Sequence, residues 1–574
     1  MKGETVAPRI PQVLRRHWTT LGLWLTLAAS LLMKLRNLDH RLLTYWDESF
    51  HALVARNLLR HPLRFTLIDQ PYLAYDYRDW TSNHIWLHKP PVALWLIAGS
   101  YAVLGVHAFA LRVPSLLLST GAVALTYLIG AELFGRRAGL IAAFWHAFNP
   151  FTFSLVHGYA FSDHIDIALL FWLELSCYFL VRAARTGEGR FAVGSGIAQA
   201  LAYLSKSYLG CLPFGIVLAL WLSRRLGVFS ERDLRINLRH VLLQALATVL
   251  LVAPWVAYCL SAYPREFLHE HGAVLRHLTT EVENWGGTWD RPVFDYLVGI
   301  LQVIYSGALA ATIVLLVRQV LPRARRTWPE LFLLFWILGA VVPLSLADSK
   351  TPSALVIAMP AMILAFARLI DEGLSRPSSA RLWLATAVVL LVFPGGASTV
   401  SGQRALEGAD GWAPFLAANA WIAWRLLGIA GLTAVLGLVS HLKWRERQHR
   451  WIVIASAALT LGLGAMTIQR TKWIGNPQAD SALWETLGRD LRERFGPESC
   501  FFLEGYELGD HQRLMFTSGR TVYDARSIDA DASAAEVAAA GGVPYRVTRD
   551  ARSEEPVYDG SPRTGYRVYR LLPE

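Results

Sequence analysis

Long apolar segments recur over most of the 574-residue sequence and constrain its fold more than any other feature. The chain is 54% hydrophobic with a mean hydropathy of +0.33, so it carries more apolar side chains than a single water-soluble core would bury. We therefore predict an all-α polytopic membrane protein. A window of about 19 residues places thirteen membrane-spanning helices at residues 18–36, 111–133, 139–157, 165–183, 191–207, 209–223, 240–262, 293–317, 329–346, 352–370, 381–397, 425–441 and 451–468.

Charge in the loops predicts the orientation of these helices. The net charge of +11 arises from arginine-rich loops between apolar segments, which is typical of the positive-inside rule and not of a nucleic-acid-binding surface. With a cytoplasmic N-terminus, all six cytoplasmic loops are basic, among them "FGRRAG" and "HLKWRERQHR". This topology requires residues 89–105, "KPPVALWLIAGSYAVLG", to form a re-entrant or interfacial helix that does not fully span. The first apolar segment is expected to be an anchor, since no small-residue cleavage site follows it.

The sequence changes character after about residue 470, where polar, turn-rich stretches surround short apolar runs. Residues 478–495 show helical periodicity, and "SCFFLEGY", "RTVYDA" and "GYRVYRLL" are short runs of the strand type. We predict a membrane domain at residues 1–469 and a small α/β domain at residues 470–574, on the extracytoplasmic side. The sequence contains neither a P-loop nor a dinucleotide-binding fingerprint, so we expect no nucleotide cofactor.

The loops predicted to face outward carry the chemically reactive side chains. Asp47 and Glu48 follow the first apolar segment, and Asp163 and Asp166 stand at the outer end of a later one. Ionisable groups at a membrane boundary are costly and therefore functional by default. The convergence of acids, imidazoles and cations on one face predicts an active site there. The candidate residues are Asp47, Glu48, His88, Lys89, Asp163, Asp166, Lys206, His277 and Lys350.

Each candidate also has a structural interpretation. Asp47 precedes a segment with Phe50, Leu53, Val54 and Leu58 at helical spacing, so it also suits the N-cap of an amphipathic helix lying on the membrane. A single lysine at the boundary also suits snorkelling to the interface, and a single histidine suits a polar boundary position. The functional interpretation depends on the candidates acting together.

Five stretches carry a family resemblance over residues 18–370: "YWDESFHALVARNLL", "HKPPVALWLIAGSYAVLGVHAFALRVPSLL", "LFGRRAGLIAAF", "GIAQALAYLSKSYLG" and "SKTPSALVIAMP". In this order they resemble the bacterial aminoarabinose transferases that modify lipid A and, more broadly, the protein O-mannosyltransferase superfamily. The resemblance implies the GT-C membrane glycosyltransferase fold in the bacterial cytoplasmic membrane. It also implies an extracytoplasmic active site and a polyprenyl-phosphate sugar as donor.

The resemblance assigns roles to the outer residues, because inverting sugar transfer needs a base for the acceptor and stabilisation of the departing phosphate. Asp47 matches the acidic residue of the first outer loop and is the candidate base, and Glu48 would orient it or the acceptor. The three lysines match positions where the family places cations, which would hold the donor phosphate: Lys89, Lys206 and Lys350.

Asp163 and Asp166 resemble a second acidic site, where a divalent metal or an acceptor contact is usual. The chain departs from the lipid A enzymes at His88, where they tend to have glutamate, and at Ala354, where they tend to have tyrosine. His88 and His277, joined by a carboxylate, would suit zinc or manganese, and magnesium is the third candidate.

Three classes of function remain open from the sequence. The leading one is a glycosyltransferase that uses a lipid-linked donor and a lipid, glycan or protein acceptor. A membrane transporter or flippase for lipid-linked substrates is the second, and it would place ionisable groups near the bilayer midplane. A binding or assembly protein is the third, and it leaves the acidic and cationic loops without a purpose.

Overall fold

The protein is described from a computed structural model. The structure describes residues 12–39, 46–158, 163–228, 234–280, 311–312, 314–318, 327–348, 352–375, 480–505 and 509–572. Helices dominate up to residue 375, and a mixed α/β unit follows from residue 480. In chain order the membrane part contains α1 (Gln12–Leu35), α2 (Trp46–Leu58), α3 (Pro91–Leu104), α4 (Ala108–Phe134), α5 (Arg136–Ala147), α6 (Pro150–Val156), α7 (Asp163–Thr186), α8 (Gly189–Lys206), α9 (Leu212–Arg225), α10 (Leu238–Ala262), α11 (Pro264–Thr279), α12 (Trp328–Leu346) and α13 (Met359–Ser375).

Within the described residues, seven helical stretches are long and apolar enough to cross a membrane. They are His17–Leu35, Ala108–Phe134, Asp163–Thr186, Gly189–Arg225, Leu238–Ala262, Trp328–Leu346 and Ala354–Glu372. Helices α1 and α10 expose large apolar side chains, such as Trp24 at 65% and Leu250 at 63%, as expected of surfaces that face lipid. The predicted class of polytopic helical membrane protein is confirmed. The predicted spans at 381–397, 425–441 and 451–468, and most of 293–317, lie outside the described residues, so the number thirteen stays a prediction.

The structure tests two predicted elements between residues 89 and 157, namely the helix that does not fully span and the span at 139–157. Helix α3 has 14 residues, or about 21 Å at 1.5 Å per residue, which is too short for a hydrocarbon core of about 30 Å. The predicted span at 139–157 is interrupted in the structure, because the chain forms the 12-residue α5 and the 7-residue α6 there instead of one continuous helix. Asn149 causes the break, since its side chain accepts hydrogen bonds from the amides of Phe151 and Thr152 and Pro150 begins the new helix.

Helices α4 and α5 form a tight hairpin. Gly135 joins them with φ +100°, and it both ends α4 and begins α5. A Cβ on Gly130 would lie 2.8 Å from the Cα of Gly139, so the two backbones meet at a distance that only glycine permits. This close packing fixes α4, the helix that supplies Arg112 and Ser115 to the site described below.

Helix α2 does not float on a membrane surface, contrary to the sequence-based prediction. Phe50, Leu53 and Val54 are 0% exposed, and Leu58 is 2% exposed. They belong to a core that also contains α3, the loop that follows α2 and the C-terminal unit. The apolar face of α2 is therefore covered by protein, and its first turn is held rigidly.

The C-terminal unit is a five-stranded mixed sheet with helices, as predicted. Its strands are β1 (Ser499–Leu503), β2 (Thr521–Asp524), β3 (Val543–Thr548), β4 (Tyr558–Asp559) and β5 (Arg567–Arg570). Their order in the sheet is β2-β1-β3-β5-β4, with β1 parallel to β2 and β3 and with β5 antiparallel to β3 and β4. The predicted helix at 478–495 is observed at Asp480–Arg494, and the three apolar runs form β1, β2 and β5. The helices of this unit are α14 (Asp480–Arg494), α15 (Asp510–Ser518), α16 (Ala530–Ala539) and α17 (Ser561–Thr564).

The C-terminal unit packs on α2 and on the loop that follows it. The hydroxyl of Tyr523 accepts hydrogen bonds from the amides of Tyr72 (3.0 Å) and Leu73 (3.1 Å), and Gln512 donates to the carbonyl of Thr81 (2.9 Å). These contacts cover the helix that carries Asp47. The predicted boundary between residues 469 and 470 lies outside the described residues and stays a prediction.

Candidate active site

Four of the predicted carboxylates meet at the beginnings of two helices. Asp47 and Glu48 lie in the first turn of α2, Asp163 and Asp166 lie in the first turn of α7, and the two helices pack together. The positive ends of the helix dipoles favour negative charge at these positions. All four side chains are buried, with exposures from 0% to 9%. A buried carboxylate needs a charged or hydrogen-bonded partner. Glu48, Asp163 and Asp166 each have such a partner.

Glu48 is enclosed by Arg112 and His164. The Nε and Nη2 atoms of Arg112 donate to the two carboxylate oxygens of Glu48 at 2.7 and 3.0 Å, and the Nε2 atom of His164 lies 3.2 Å from Oε1. The Nδ1 atom of His164 in turn lies 2.7 Å from the hydroxyl of Ser115. Burial alone would raise the pKa of Glu48, but the charges and hydrogen bonds of Arg112 and His164 hold it well below its usual range. Glu48 is thus an ionised anchor, with both oxygens occupied.

Gly158 leaves room for the carboxylate of Glu48. Its backbone has φ +71°, a conformation that glycine adopts freely. A Cβ at this position would overlap the carboxylate of Glu48. Residue 158 must therefore be glycine for the ion pair with Arg112 to form.

Asp163 is bound by His51 and by the backbone. The Nδ1 atom of His51 lies 3.0 Å from Oδ1 of Asp163, and the amide of His164 donates to the same oxygen. Burial lowers the pKa of His51 to about 4, although the charge of Asp47 acts in the opposite direction. The neutral ring of His51 and the carboxyl of Asp163 thus share one hydrogen bond at Nδ1.

Lys206 is the point at which the predicted acids and cations converge. Its ammonium forms an ion pair with Asp166, whose side chain is 0% exposed, and the charges of Lys89 and Asp47 also act on it. Lys206 ends α8, and the next residue, Ser207, has φ +54°, a strained conformation for a residue with a side chain. The abrupt end of α8 places the ammonium beside the first turn of α7.

Lys89 and His88 lie at the edge of this cluster. Lys89 is half-buried, and its charge acts on His51 and on Glu270 of α11. His88 stacks on Trp80 with ring centroids 4.3 Å apart, and its Nδ1 atom lies 2.9 Å from Oε2 of Glu270. Burial alone would raise the pKa of Glu270, but the charge and hydrogen bond of His88 hold it below its usual value.

The predicted metal site is not assembled in the described part of the chain. There, no group of three or more His, Cys, Asp or Glu side chains is arranged to hold a metal ion. His88 pairs with a single carboxylate, and the side chain of His277 lies outside those that the structure describes. Lys350 also lies outside the described residues, so its predicted contact with the donor phosphate stays a prediction.

Arg112 is the residue that sequence reasoning missed. It is 0% exposed and, besides Glu48, it donates to the carbonyl of Leu38 at 3.0 Å. The signal was an arginine inside the apolar segment "FALRVPSLLL", because an ionisable residue in a membrane helix needs a partner. Finding that partner, however, required the three-dimensional structure.

The comparisons with known proteins agree with the fold. Residues 88–258 match the family described as dolichyl-phosphate-mannose-protein mannosyltransferase. This stretch includes part of the cluster, namely Lys89, Arg112, Asp163, Asp166 and Lys206. Asp47 and Glu48 lie before it.

Solved structures establish the fold class. ArnT from Cupriavidus metallidurans bound to undecaprenyl phosphate superimposes with a TM-score of 0.61 and 17% identity, over 97% of this chain and 98% of that chain. The oligosaccharyltransferase AglB from Archaeoglobus fulgidus, in complex with an inhibitory peptide and a dolichol-phosphate, gives a TM-score of 0.50 and 14% identity, over 93% of this chain and 69% of that one. The protein has the fold of the GT-C membrane glycosyltransferases.

Comparison with curated sequence relatives gives a more specific similarity than the fold does. The undecaprenyl phosphate-alpha-4-amino-4-deoxy-L-arabinose arabinosyl transferase of Pseudomonas aeruginosa is 28% identical over 296 residues, which cover 48% of this chain and 49% of that enzyme. The chain thus spans about half the length of the curated relatives it matches. The superfamily resemblance expected from the sequence motifs is confirmed.

Proposed function

We propose that the protein is a glycosyltransferase that moves a sugar from a polyprenyl-phosphate donor to a hydroxyl or phosphate of an acceptor. The names of its relatives support this class of reaction, since they transfer aminoarabinose or mannose from lipid-linked donors. The donor sugar is already activated by its phosphate, so the reaction needs no nucleotide. The acceptor is a lipid, a glycan or a protein at the outer face of the cytoplasmic membrane.

The observation that carries this proposal is the convergence of Asp47, Asp166 and Lys89 on Lys206. It supports the proposal because the candidate base and two cations would act together in one partly buried region, beside the first turns of α2 and α7 and the end of α8. A lipid phosphate presented there would meet Lys89 and Lys206, while an acceptor hydroxyl would meet Asp47. Low-dielectric surroundings strengthen both interactions.

The proposed reaction is a single displacement with inversion. Asp47 takes the proton of the acceptor hydroxyl as its oxygen attacks the anomeric carbon from the side opposite the phosphate. The bond between that carbon and the phosphate oxygen breaks with its electron pair, and polyprenyl phosphate leaves. Lys89 and Lys206 stabilise the charge that develops on the phosphate.

The remaining acids position these groups. Glu48, bound by Arg112, anchors the first turn of α2 and thereby fixes Asp47 next to it in sequence. Asp166 holds the ammonium of Lys206 in place before the donor binds. Asp163 contacts His51, and its predicted role in the second acidic site, a contact with a divalent metal or with the acceptor, stays a prediction.

The test of this function measures the conversion of the lipid-linked donor. Purified protein in lipid nanodiscs would receive undecaprenyl phosphates that carry single sugars, and mass spectrometry would measure the release of free undecaprenyl phosphate and of modified acceptor. Comparison of lipid A, envelope glycans and secreted proteins from cells with and without the gene identifies the acceptor. Donor movement across the bilayer without sugar release would contradict the proposal and favour a flippase.

We also propose that the site and the C-terminal unit face the extracytoplasmic side. The basic loops at 135–138 and 182–190 support a cytoplasmic position for the opposite ends of α4 and α7. In a Cys211→Ser background, an impermeant thiol reagent should label Asp76→Cys and Ala532→Cys in intact spheroplasts. Glu188→Cys, in the turn between α7 and α8, is the control that should react only after lysis. The reverse pattern would overturn the orientation.

A further inference from the structure

A cavity of about 790 Å³ lies between the C-terminal unit and the membrane part, away from the candidate active site. One wall comes from α14, from α15 and from the turn that leads into β2. The other comes from the end of α2, from the loop that follows it and from the turn before α4. The cavity therefore joins the two parts of the protein.

Arginines dominate the charge of this cavity. Five arginines line it, against three carboxylates, among the residues that the structure describes. The arginines are Arg56, Arg60, Arg489, Arg492 and Arg520, and the carboxylates are Asp39, Asp69 and Glu485. Arg60 is paired with Asp69 at 2.6 Å. Without this pair, the cavity is lined by four arginines and two carboxylates, so positive charge is in excess.

Backbone carbonyls hold three of the arginines in place. Arg56 donates to the carbonyls of Met515 and Phe516, both at 3.2 Å. Arg492 donates to the carbonyl of Ser518 at 3.2 Å, and Arg520 donates to that of Phe495 at 2.8 Å. Carbonyls fix the orientation of a guanidinium but do not cancel its charge.

The arginines also repel one another. Burial lowers the pKa of Arg520, and the charge of Arg492 lowers it further. Burial likewise lowers the pKa of Arg56, to which the charges of Arg60 and Arg492 contribute. Groups of like charge that are held together favour binding of an anion, which removes the repulsion.

The side of the cavity next to the membrane part is different in character. Leu59, Val106 and Phe109 line it, and Leu59 and Val106 are 40% and 41% exposed. The 27-residue helix α4 also begins there, and its positive dipole end adds to the potential at the cavity. The cavity is thus lined by arginines on both sides and by apolar side chains on the side of the membrane part.

We propose that this cavity binds a phosphate group, as a second anion site separate from the one for the donor. Planar guanidinium groups bind phosphate oxygens in a bidentate manner, and the fixed arginines are suited to this geometry. The phosphate belongs either to the head group of an anionic lipid or to a small soluble phosphate. This inference goes beyond the proposed function and does not depend on it.

A bound phosphate would connect the C-terminal unit to the helix of the candidate base. Arg56 is on α2, nine residues after Asp47, which corresponds to about 13.5 Å along a helix. Arg489, Arg492 and Arg520 belong to the C-terminal unit. Phosphate bridging the two sets would stabilise their contact, so ligand binding should raise the thermal stability of the whole protein.

The test measures the thermal stability of the full-length protein in nanodiscs of phosphatidylcholine. One arm titrates inorganic phosphate against sodium chloride of equal ionic strength, and the other replaces part of the phosphatidylcholine with phosphatidylglycerol. A stabilisation in the first arm identifies a soluble phosphate, and one in the second arm alone identifies a lipid head group. Absence of stabilisation in both arms would overturn the proposal.

Arginine variants test whether the stabilisation by phosphate arises in this cavity. Arg489→Gln/Arg492→Gln should weaken phosphate binding by about tenfold or more, as expected for the loss of charge-assisted hydrogen bonds. Arg489→Gln alone, at an exposed side chain, should weaken it in the same direction without disturbing the fold. Arg570→Gln, at the exposed end of β5, is the matched control and should bind as the wild type does. Equal binding by all three variants would exclude the cavity as the site.

Discussion

The buried ion pair between Glu48 and Arg112 offers a way to separate folding from catalysis. The side chains of both residues are 0% exposed, and the two hydrogen bonds between them measure 2.7 and 3.0 Å. Arg112→Met removes the cation and leaves the carboxylate of Glu48 without its main partner, away from water. Removing one partner of a buried pair costs about 3 to 5 kcal/mol, and we expect a loss of this size in the free energy of unfolding.

The double variant Arg112→Met/Glu48→Gln tests the reasoning. It contains no uncompensated charge, and replacing both members of a buried pair is close to neutral for stability. We therefore expect it to regain most of the lost stability, while sugar transfer stays low because α2 has lost the anchor beside Asp47. Arg137→Met is the control, since its pair with Asp371 lies at the surface and should contribute about 0 to 1 kcal/mol.

The assay combines thermal unfolding in detergent, followed by tryptophan fluorescence, with a transfer assay on the same preparations. An Arg112→Met protein as stable as the wild type would refute the account of the ion pair. So would a double variant that is no more stable than the single one. A stable double variant with full transfer activity would show that the pair has no part in positioning Asp47.

Three further changes test other parts of the structure. Lys206→Met should weaken binding of undecaprenyl phosphate by about tenfold to a hundredfold in a direct binding assay, since a charge-assisted contact contributes about 1.5 to 3 kcal/mol; unchanged affinity would leave Lys206 a structural partner of Asp166. Gly158→Ala should lower the thermal stability and the transfer rate together, because the added Cβ overlaps Glu48. Burial lowers the pKa of His511 to about 4, so the folded chain keeps this ring neutral while the unfolded chain protonates it near 6.5. Stability from His511 is complete above pH 6.5 and is lost towards pH 4, by about 1.4 kcal/mol per pH unit, and His511→Phe should reduce this dependence in unfolding measurements between pH 7.5 and 4.5.

Sequence patterns predicted the class of fold and much of the candidate site for a physical reason. Membrane helices are long apolar segments, and ionisable residues at their ends are rare enough to be noticed. Asp47, Asp163, Asp166 and Lys206 were singled out in this way, and the structure brings them to the ends of three neighbouring helices. Their roles in catalysis stay predictions.

The errors also have physical causes. The periodicity of α2 shows an apolar face but not whether lipid or protein covers it, and the C-terminal unit covers it here. The hydropathy window averaged over Asn149 and Pro150 and therefore missed the break between α5 and α6, although an Asn-Pro pair is a local signal for a break. Arg112 and its partner Glu48 are 64 residues apart, and no local pattern relates them.

The rate of sugar transfer by Asp47→Asn is the most direct test of the central claim, that Asp47 is the base of a lipid-linked sugar transferase. Asparagine keeps the size of the side chain and removes its basicity. In single-turnover experiments with the sugar-carrying undecaprenyl phosphate that the wild type accepts, we expect a fall of about 10² to 10⁴ in the transfer rate. Donor binding and thermal stability should be retained. A folded Asp47→Asn protein that transfers sugar at the wild-type rate would contradict the claim and leave Asp47 with a structural role at the start of α2.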